Sequence, residues 1–349
     1  MLKEIQVKNL KSINDSKLKL APLTILTGTN SSGKSTIIQG IMLLIKNSII
    51  SNRYSMEDLT RYLNDFSAIR NKKNNAKFIN INAIDSNEKQ HFINITADGI
   101  KTSSQLTYQY ELPSINDEKE LFYLSANRVG AQDFVPLSER KVGYLGEFLF
   151  STFDKVKGYI LPEALLKFDG SKTISYQVGM WLTYITDSTT ELITEKVSDQ
   201  VKVSFKVKDL DSNLSPFNLG AGMSYLAKVI IICLVAKKGD LVLLENPEVQ
   251  LHPKAQAKLG VFISFIASKG AQLIVETHCE HLINKVAYEI YEDKINSEDV
   301  VIHYKSNVDE DFETILFDSN GEFNDSFGNI ITFPTGFFDA TLFDLMKMR

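Results

Sequence analysis

The segment LTILTGTNSSGKSTIIQGIMLLIK, residues 23–46, decides the fold. Its first residues are apolar and predict a strand, and apolar residues at 37, 38, 41, 42, 44 and 45 have the spacing of a helix with one buried face. Between them lies GTNSSGKST, residues 28–36, which matches GxxxxGK[ST] in the strand–loop–helix context that this motif requires. The segment therefore predicts a phosphate-binding loop, although a Gly/Ser-rich turn is the alternative reading.

The residue types of this loop suit a nucleotide. Gly28 and Gly33 allow a close backbone approach, so that N–H groups at the helix start can bind phosphate oxygens. Lys34 is predicted to reach the β- and γ-phosphates, and the Ser35 hydroxyl to bind Mg²⁺. The remaining loop positions are predicted to complete the nucleotide site: Thr29, Asn30, Ser31, Ser32 and Thr36.

A second segment, LVLLENPEVQLHP at 241–253, carries candidate catalytic groups. Glu245 ends an apolar strand and is predicted to hold Mg²⁺ through water. The amide of Asn246 can orient a water but cannot take its proton, so Glu248 is the nearest alternative base. The competing interpretation is a strand-to-helix turn with His252 as N-cap and Pro253 as the first helical residue.

A third segment, QLIVETHCEH at 272–281, follows one strand–helix unit later. A right-handed crossover would place the end of this strand beside Glu245. His278 is therefore predicted to donate a hydrogen bond to the γ-phosphate, against the alternative of an ordinary polar loop residue.

Composition restricts the class of protein. The 349 residues carry a net charge of −5, which argues against unspecific coating of nucleic acid. Cys233 and Cys279 lack metal or disulfide spacing and favour a reducing, cytoplasmic setting. No apolar segment is long enough to predict a membrane span or a signal peptide.

The pattern of elements predicts an α/β fold. Two strands, 2–10 and 17–27, lead to the loop within residues 1–50, and residues 51–125 read as an antiparallel β lobe. Residues 126–200 are predicted to form an inserted helical subdomain, with helices in VGYLGEFLFSTF and SYQVGMWLTYIT. Residues 201–295 alternate strand and helix, with parallel strands at LVLLE and QLIVE, and residues 296–349 form a β and tail segment.

Taken together, the motifs GTNSSGKST, NLGAGMSYL, LVLLENPEVQLHPKAQ and QLIVETHCEH resemble the AAA/ABC-type ATPases related to OLD, RecF and SMC heads. FPTGFFD at 333–339 is similar to the tail of one branch of this group. The resemblance implies a P-loop ABC-ATPase head with ATP and Mg²⁺ as ligands, Glu245 ending the Walker B strand and His278 as the switch histidine. No guanine-reading NKxD motif is present.

The resemblance also implies a homodimer. NLGAGMSYL takes the place of the signature motif, through which one head caps the nucleotide on the other, so Gly220, Gly222 and Ser224 are expected to contact the partner's γ-phosphate. A glycine-rich loop before a core helix is the alternative. Arg128 resembles an arginine of the central motif, for which a nucleotide contact and an exposed salt bridge both remain open.

Three functions follow as hypotheses. The first is a slow ATP-driven switch that controls a separate effector, a nuclease or toxin, in anti-phage defence; this rests on family analogy. The second is an ATP-dependent DNA-binding protein of RecF or SMC type in repair or maintenance. The third is a scaffold that holds nucleotide without turnover.

Overall fold

The computed structural model of the protein describes residues 1–50, 52, 54–111, 118–207, 212–334 and 337. Three sheets organise these residues, with eight, five and three strands. Among the described residues no helix is long and apolar enough to cross a membrane. The FPTGFFD motif lies partly outside the described residues.

The eight-stranded sheet carries the loop after residue 28. Its strands are β3 (Leu23–Gly28), β7 (Gln109–Tyr110), β8 (Glu120–Leu124), β12 (Leu241–Glu245), β13 (Gln272–Glu276), β14 (Val300–Lys305), β15 (Glu313–Phe317) and β16 (Phe323–Asn324). Across the sheet they lie in the order β16–β15–β14–β3–β13–β12–β8–β7. All neighbours from β14 to β7 pair in parallel, while β15 and β16 are antiparallel additions at one edge.

The other two sheets are antiparallel. The five-stranded sheet has the order β2–β1–β4–β5–β6, with β1 (Leu2–Leu10), β2 (Ile13–Lys19), β4 (Ile79–Asp85), β5 (Gln90–Thr96) and β6 (Gly99–Thr102). The three-stranded sheet has the order β10–β11–β9, with β9 (Phe134–Pro136), β10 (Thr190–Val197) and β11 (Gln200–Val207).

Eight α-helices connect and cover these sheets in the described residues. They are α1 (Lys34–Lys46), α2 (Glu57–Thr60), α3 (Phe66–Ile69), α4 (Leu149–Val156), α5 (Ile174–Thr186), α6 (Ala221–Val235), α7 (Pro253–Ser268) and α8 (Glu280–Tyr291). Short 3₁₀ turns occur at Arg61–Leu63, Glu163–Leu165, Pro216–Asn218 and Ser297–Asp299.

The central sheet is buried on both faces. In β12, Val242 and Leu244 join a core with α4–α8, whereas Leu241 and Leu243 point to a second core formed by α1 and the five-stranded sheet. This alternation follows from the period of two along a strand. Because both faces are covered, the strand sequence is continuously apolar, as the sequence predicted.

The structure confirms several predicted elements and corrects others. The helix after the loop, the parallel pair β12–β13 and helix α5 are confirmed. The single strand predicted at 17–27 is wrong, because β2 ends at Lys19 in the five-stranded sheet and β3 begins a separate strand at Leu23. The predicted helix in VGYLGEFLFSTF begins only at Leu149, since Gly143 and Gly146 adopt left-handed backbone angles (φ 79° and 70°).

The two middle segments are also more mixed than the sequence indicated. Residues 79–102 form antiparallel strands, but β7 and β8 belong to the parallel sheet. Residues 126–200 contain strands β9 and β10 in addition to helices α4 and α5, and β11 pairs with both of these strands.

Candidate nucleotide-binding site

The carboxyl ends of four parallel strands meet at one edge of the central sheet. From β3 the order runs to β13, then β12, then β8, and Glu276 on β13 is the register partner of Glu245 on β12. Glu276 is also opposite Leu26 on β3. The predicted placement of the two acidic strand ends beside each other is confirmed, at the position where open α/β sheets bind ligands.

The loop between β3 and α1 is held by its neighbour β14. Gly28 has φ 129°, and a Cβ there would lie 2.1 Å from the Lys305 carbonyl oxygen, so only glycine fits. The Thr29 N–H donates to the same carbonyl at 3.1 Å. The Lys34 ammonium donates to the carbonyls of Gly28 and Thr29 at 3.2 and 2.6 Å, which places its charge inside the loop.

The other loop residues divide into an exposed tip and a buried base. Thr29, Asn30 and Ser31 are exposed, as a phosphate-binding tip requires. Ser32 is buried and donates to the Thr29 carbonyl at 2.9 Å. Further along the loop, the left-handed Gly33 (φ 112°) precedes α1, Thr36 is buried in its first turn, and Ser35 is half-buried.

Glu245 is buried and bound to the neighbouring strand. Its two carboxylate oxygens accept hydrogen bonds from the Tyr123 hydroxyl and the Ala126 N–H, both at 3.1 Å. Burial raises the pKa of this carboxyl group. Each oxygen thus accepts one hydrogen bond, and these bonds tie the end of β12 to the end of β8.

Asn246 has a constrained backbone. Its φ is 44°, its N–H donates to the Glu276 carbonyl at 2.8 Å, and its own carbonyl accepts from Arg128 at 2.9 Å. The side-chain oxygen is buried and has no hydrogen-bond partner in the described structure. A buried polar atom of this kind calls for an explanation, and a bound water or ligand supplies one.

Glu248 joins the turn after β12 to the turn after β13. One of its oxygens accepts from the Thr277 hydroxyl at 2.7 Å and from the backbone N–H of His278 at 3.1 Å. Its other oxygen is buried and without a hydrogen-bond partner in the described structure. Burial raises the pKa of the Glu248 carboxyl group, a change in the direction that a general base requires.

His278 lies at the opening of the loop. Its side chain is exposed and borders a cavity together with Gly28 and Thr29. Burial of part of the ring lowers the pKa of His278, and the nearby charge of Lys34 lowers it further. A neutral imidazole at this position can donate one hydrogen bond to a phosphate oxygen.

The turn residues also cap helices. His252 accepts from the Lys254 backbone N–H at 3.3 Å ahead of Pro253, so the capping interpretation is confirmed. Cys279 accepts from the Leu282 N–H at 3.4 Å and is the N-cap of α8. Cysteine therefore performs here the capping for which serine is ordinarily preferred.

The three residues of the glycine-rich segment that were predicted to contact a partner's phosphate differ in exposure. Gly220 is exposed and precedes α6, whose first turn has no side-chain cap. Gly222 is buried, and a Cβ there would lie 2.4 Å from the Gln250 carbonyl oxygen. Ser224 is 1% exposed, because α6 begins at Ala221 and turns this residue inward. Its burial is at odds with the phosphate contact predicted for it; only Gly220 faces outward.

Arg128 is buried, so the exposed salt bridge left open from the sequence is wrong. The side chain is 3% exposed, and its guanidinium donates to the carbonyls of Glu245 at 3.0 Å and Asn246 at 2.9 Å. Its charge lies 5.0 Å from the ring of Tyr225 on α6, within cation–π range. Arg128 thus connects the glycine-rich helix to the turn that carries the candidate catalytic residues.

The sequence interpretation left Glu276 out of the candidate site. Its carboxylate lies close enough to the Ser35 hydroxyl and the Lys34 charge for both to lower its pKa, although burial raises the pKa more. A glutamate two residues before the predicted switch histidine was the available signal. Oxygen atoms from Ser35 and an adjacent carboxylate suit Mg²⁺, which binds one or two carboxylates together with phosphates.

No group of three or more His, Cys, Asp or Glu side chains in the described part of the chain is arranged to hold a metal by itself.

The fold is that of an ATPase head of the ABC type. It has a phosphate loop after β3, the strand β13 between β3 and β12, and an antiparallel sheet over α1. The solved SMC head bound to the C-winged helix domain of ScpA is similar over 90% of this chain and 97% of that chain, at TM-score 0.54 and 13% identity. The solved SMC head of Pyrococcus furiosus with an extended coiled coil, bound to the C-terminal domain of ScpA, is similar over 90% of this chain and 96% of that chain. Its TM-score is 0.53 and its sequence identity is 11%. At such identities the likeness shows the fold.

The chain belongs to the family described as "AAA domain, putative AbiEii toxin, Type IV TA system", whose model matches residues 23–284. It is also similar to an OLD nuclease of Thermus scotoductus, with 47% identity over 45 residues. That match spans 13% of this chain and 8% of the relative's length. The expectation of an OLD-like and SMC-like ATPase is confirmed at the level of family and fold.

Proposed function

We propose that the protein is a slow, Mg²⁺-dependent ATPase whose two heads close around ATP as a homodimer, and that the closed and open states control a separate effector in anti-phage defence. The observation that carries the ATPase part is the convergence of Lys34 and Ser35 with Asn246, Glu248 and Glu276. Buried oxygens of the last three have no hydrogen-bond partner among the described residues. Positioning groups of this kind supply most of the catalysis in phosphoryl transfer.

The proposed mechanism assigns separate tasks to these residues. Lys34 and the loop N–H groups bind the triphosphate, and His278 contacts the γ-phosphate. Asn246 orients the attacking water, and Glu248 accepts its proton. Mg²⁺, when bound, neutralises charge on the phosphates. Turnover is slow because the residue directly after β12 is Asn246, whose amide cannot accept a proton. Glu248, the remaining base, is also engaged in hydrogen bonds with Thr277 and the His278 backbone.

The dimer part rests on α6. Its exposed, uncapped start at Gly220 offers free N–H groups and a positive helix end, which favour a phosphate anion. Within one subunit this helix packs against the turn after β12 through Gly222, and β12 is two strand positions, about 10 Å, from β3. A second copy is therefore the better source of the phosphate.

Control of an effector is supported by analogy only. The family description names a toxin of a toxin–antitoxin system, and the matched segment of the Thermus protein belongs to a nuclease. The similar SMC head is bound to a second protein, ScpA. We infer that this chain likewise acts on a separate polypeptide.

ATP turnover per subunit, measured across a range of protein concentrations, tests the proposal. A site shared between two copies requires turnover per subunit to rise with concentration and then level off. Measurable turnover that does not vary with concentration would contradict the shared site. Binding of ATP without turnover at any concentration would instead indicate a scaffold.

Binding of DNA in the manner of RecF or SMC proteins is the second candidate. The observation in its favour is an open cavity of about 490 Å³ whose lining includes Lys11, Arg70, Lys72 and Lys73, although Asp309 also lines it and pairs with Lys73. Phosphate contacts from these side chains would make log affinity fall steeply with log salt concentration. Duplex DNA titrated with and without ATP at several salt concentrations distinguishes the candidates, since a salt-insensitive result favours the effector switch.

A further inference from the structure

We propose that Glu276, rather than Glu245, is the carboxylate that holds Mg²⁺ together with Ser35. This inference rests on the proposed function, because it assumes that MgATP binds at the loop. It assigns the metal to the strand next to the phosphate loop, and it makes Glu245 a structural anchor.

The position of Glu276 is the first argument. Strand β13 lies directly beside β3, with Glu276 opposite Leu26, and the following Thr277 N–H donates to the Leu26 carbonyl at 3.0 Å. Glu276 is thus one strand position, about 4.8 Å, from the strand that feeds the loop, whereas Glu245 is two positions away. Of the two strand ends, only that of Glu276 adjoins β3.

The hydrogen bonds of the two carboxylates are the second argument. Each oxygen of Glu245 already accepts one hydrogen bond, from Tyr123 and from Ala126, and these bonds tie β12 to the end of β8. Glu276 is 6% exposed, and its Oε2 has no hydrogen-bond partner among the described residues. Removing Glu245 from its partners would leave buried donors unsatisfied, a cost of about 1–3 kcal/mol for each group. Glu276 has no such bonds to break at Oε2.

Electrostatics is the third argument. Lys34 and Ser35 of the loop lie near the Glu276 carboxylate. The carboxylates of Glu245, at the end of β12, and Glu248, in the turn after it, also lie near. A buried carboxylate beside two like charges needs an additional cation to compensate for the lost hydration. A divalent ion beside Ser35 provides that cation, and carboxylate oxygen is the ligand type that Mg²⁺ prefers.

The matched variants Glu276→Gln and Glu245→Gln test the assignment. The dissociation constant of ATP is measured by calorimetry in EDTA and in Mg²⁺, and Mn²⁺ binding to the protein–ATP complex is measured by electron paramagnetic resonance. We expect Glu276→Gln to retain the ATP affinity seen in EDTA and to lose the gain that Mg²⁺ confers, by about tenfold or more. We expect Glu245→Gln to keep that gain and to lower the unfolding temperature.

Every other pattern overturns the assignment. Loss of the metal-dependent gain in Glu245→Gln alone, in both variants or in neither would show that Glu276 does not hold the metal by itself. Should Glu276→Gln fail to fold, Glu276→Asp keeps the charge but shortens the side chain; an unchanged Mg²⁺ gain there contradicts the proposal, and a reduced gain supports it. If the wild-type chain binds no ATP, the proposed function fails instead.

Discussion

Replacement of Arg128 by lysine tests whether the candidate catalytic turn is held in place from the central segment. The guanidinium makes two short hydrogen bonds, to the carbonyls of Glu245 and Asn246, and a longer one to Ser125 at 3.3 Å. Lysine has one terminal nitrogen and can replace only part of this set. With about 1.5–3 kcal/mol for each hydrogen bond to a charged group, we expect the variant to lose about 2–4 kcal/mol of unfolding free energy.

The loss of catalysis should exceed what lower stability alone would cause. Without the hydrogen bond from Arg128 to its carbonyl, Asn246 can leave its left-handed conformation, which moves its side-chain amide. A misplacement of about 1 Å can cost about 100-fold in rate, so we expect kcat to fall by about 10- to 100-fold while the dissociation constant of ATP stays within about twofold. Urea unfolding, calorimetry and steady-state turnover measure the three quantities at a temperature where both proteins are folded.

Arg140→Lys is the matched control. Arg140 belongs to the same central segment and donates to Asp58 and the Tyr110 hydroxyl, but it makes no hydrogen bond to the catalytic turn. We expect its kcat to equal that of the wild type. If Arg128→Lys kept wild-type kcat while losing stability, the guanidinium would have no positioning role and the reasoning would be refuted.

Three further predictions concern stability. Burial lowers the pKa of His303 to about 4, so between pH 6.5 and 4 the unfolded chain binds more protons than the folded one. The folded state therefore loses stability as the pH is lowered through this range. Urea unfolding should show a loss of about 2 kcal/mol from pH 7.5 to pH 5, and His303→Gln should lack this loss. Cys279→Ala should cost about 1 kcal/mol in thermal unfolding because it removes the cap of α8, whereas Cys279→Ser should not. Gly222→Ala should cost about 1–3 kcal/mol in urea because its Cβ meets the Gln250 carbonyl; equal stability would show that the turn moves freely.

The features that could be predicted from the sequence are those set by short local patterns. The loop at 28–36 and the helix after it follow from one contiguous segment. The pairing of Glu245 with Glu276 follows from two apolar strands separated by one helix, because parallel strands joined by such a crossover end at the same edge.

The features that the sequence did not reveal depend on contacts between distant residues. Glu245 is bound by Tyr123 and Ala126, which lie 122 and 119 residues away, so nothing near LVLLE indicates that its oxygens are occupied. Burial of Ser224 depends on the residue at which α6 begins, and a glycine-rich segment does not specify where a helix begins. Arg128 shows the same limit, since its partners belong to a turn more than a hundred residues further on.

In the proposed dimer, the loop of one subunit shares its ATP with Gly220 of a second copy. Gly220 is exposed, has φ −59°, and a Cβ there would meet nothing within 4 Å. Aspartate is also a favourable N-cap, so Gly220→Asp should fold at least as well as the wild type while placing a negative charge against the partner's phosphate. Gly220→Asn, which caps without the charge, is the control and should lose much less turnover.

The most direct measurement mixes two inactive variants. Lys34→Ala is expected to lose its own phosphate loop, and Gly220→Asp its own helix start. In an equimolar mixture half of the dimers are mixed, and each has one complete site formed by the loop of one chain and the helix of the other. We expect mixing to restore ATP turnover to about one quarter of the wild-type rate. A mixture as inactive as its components, at concentrations where the wild-type chain is dimeric and active, would contradict it.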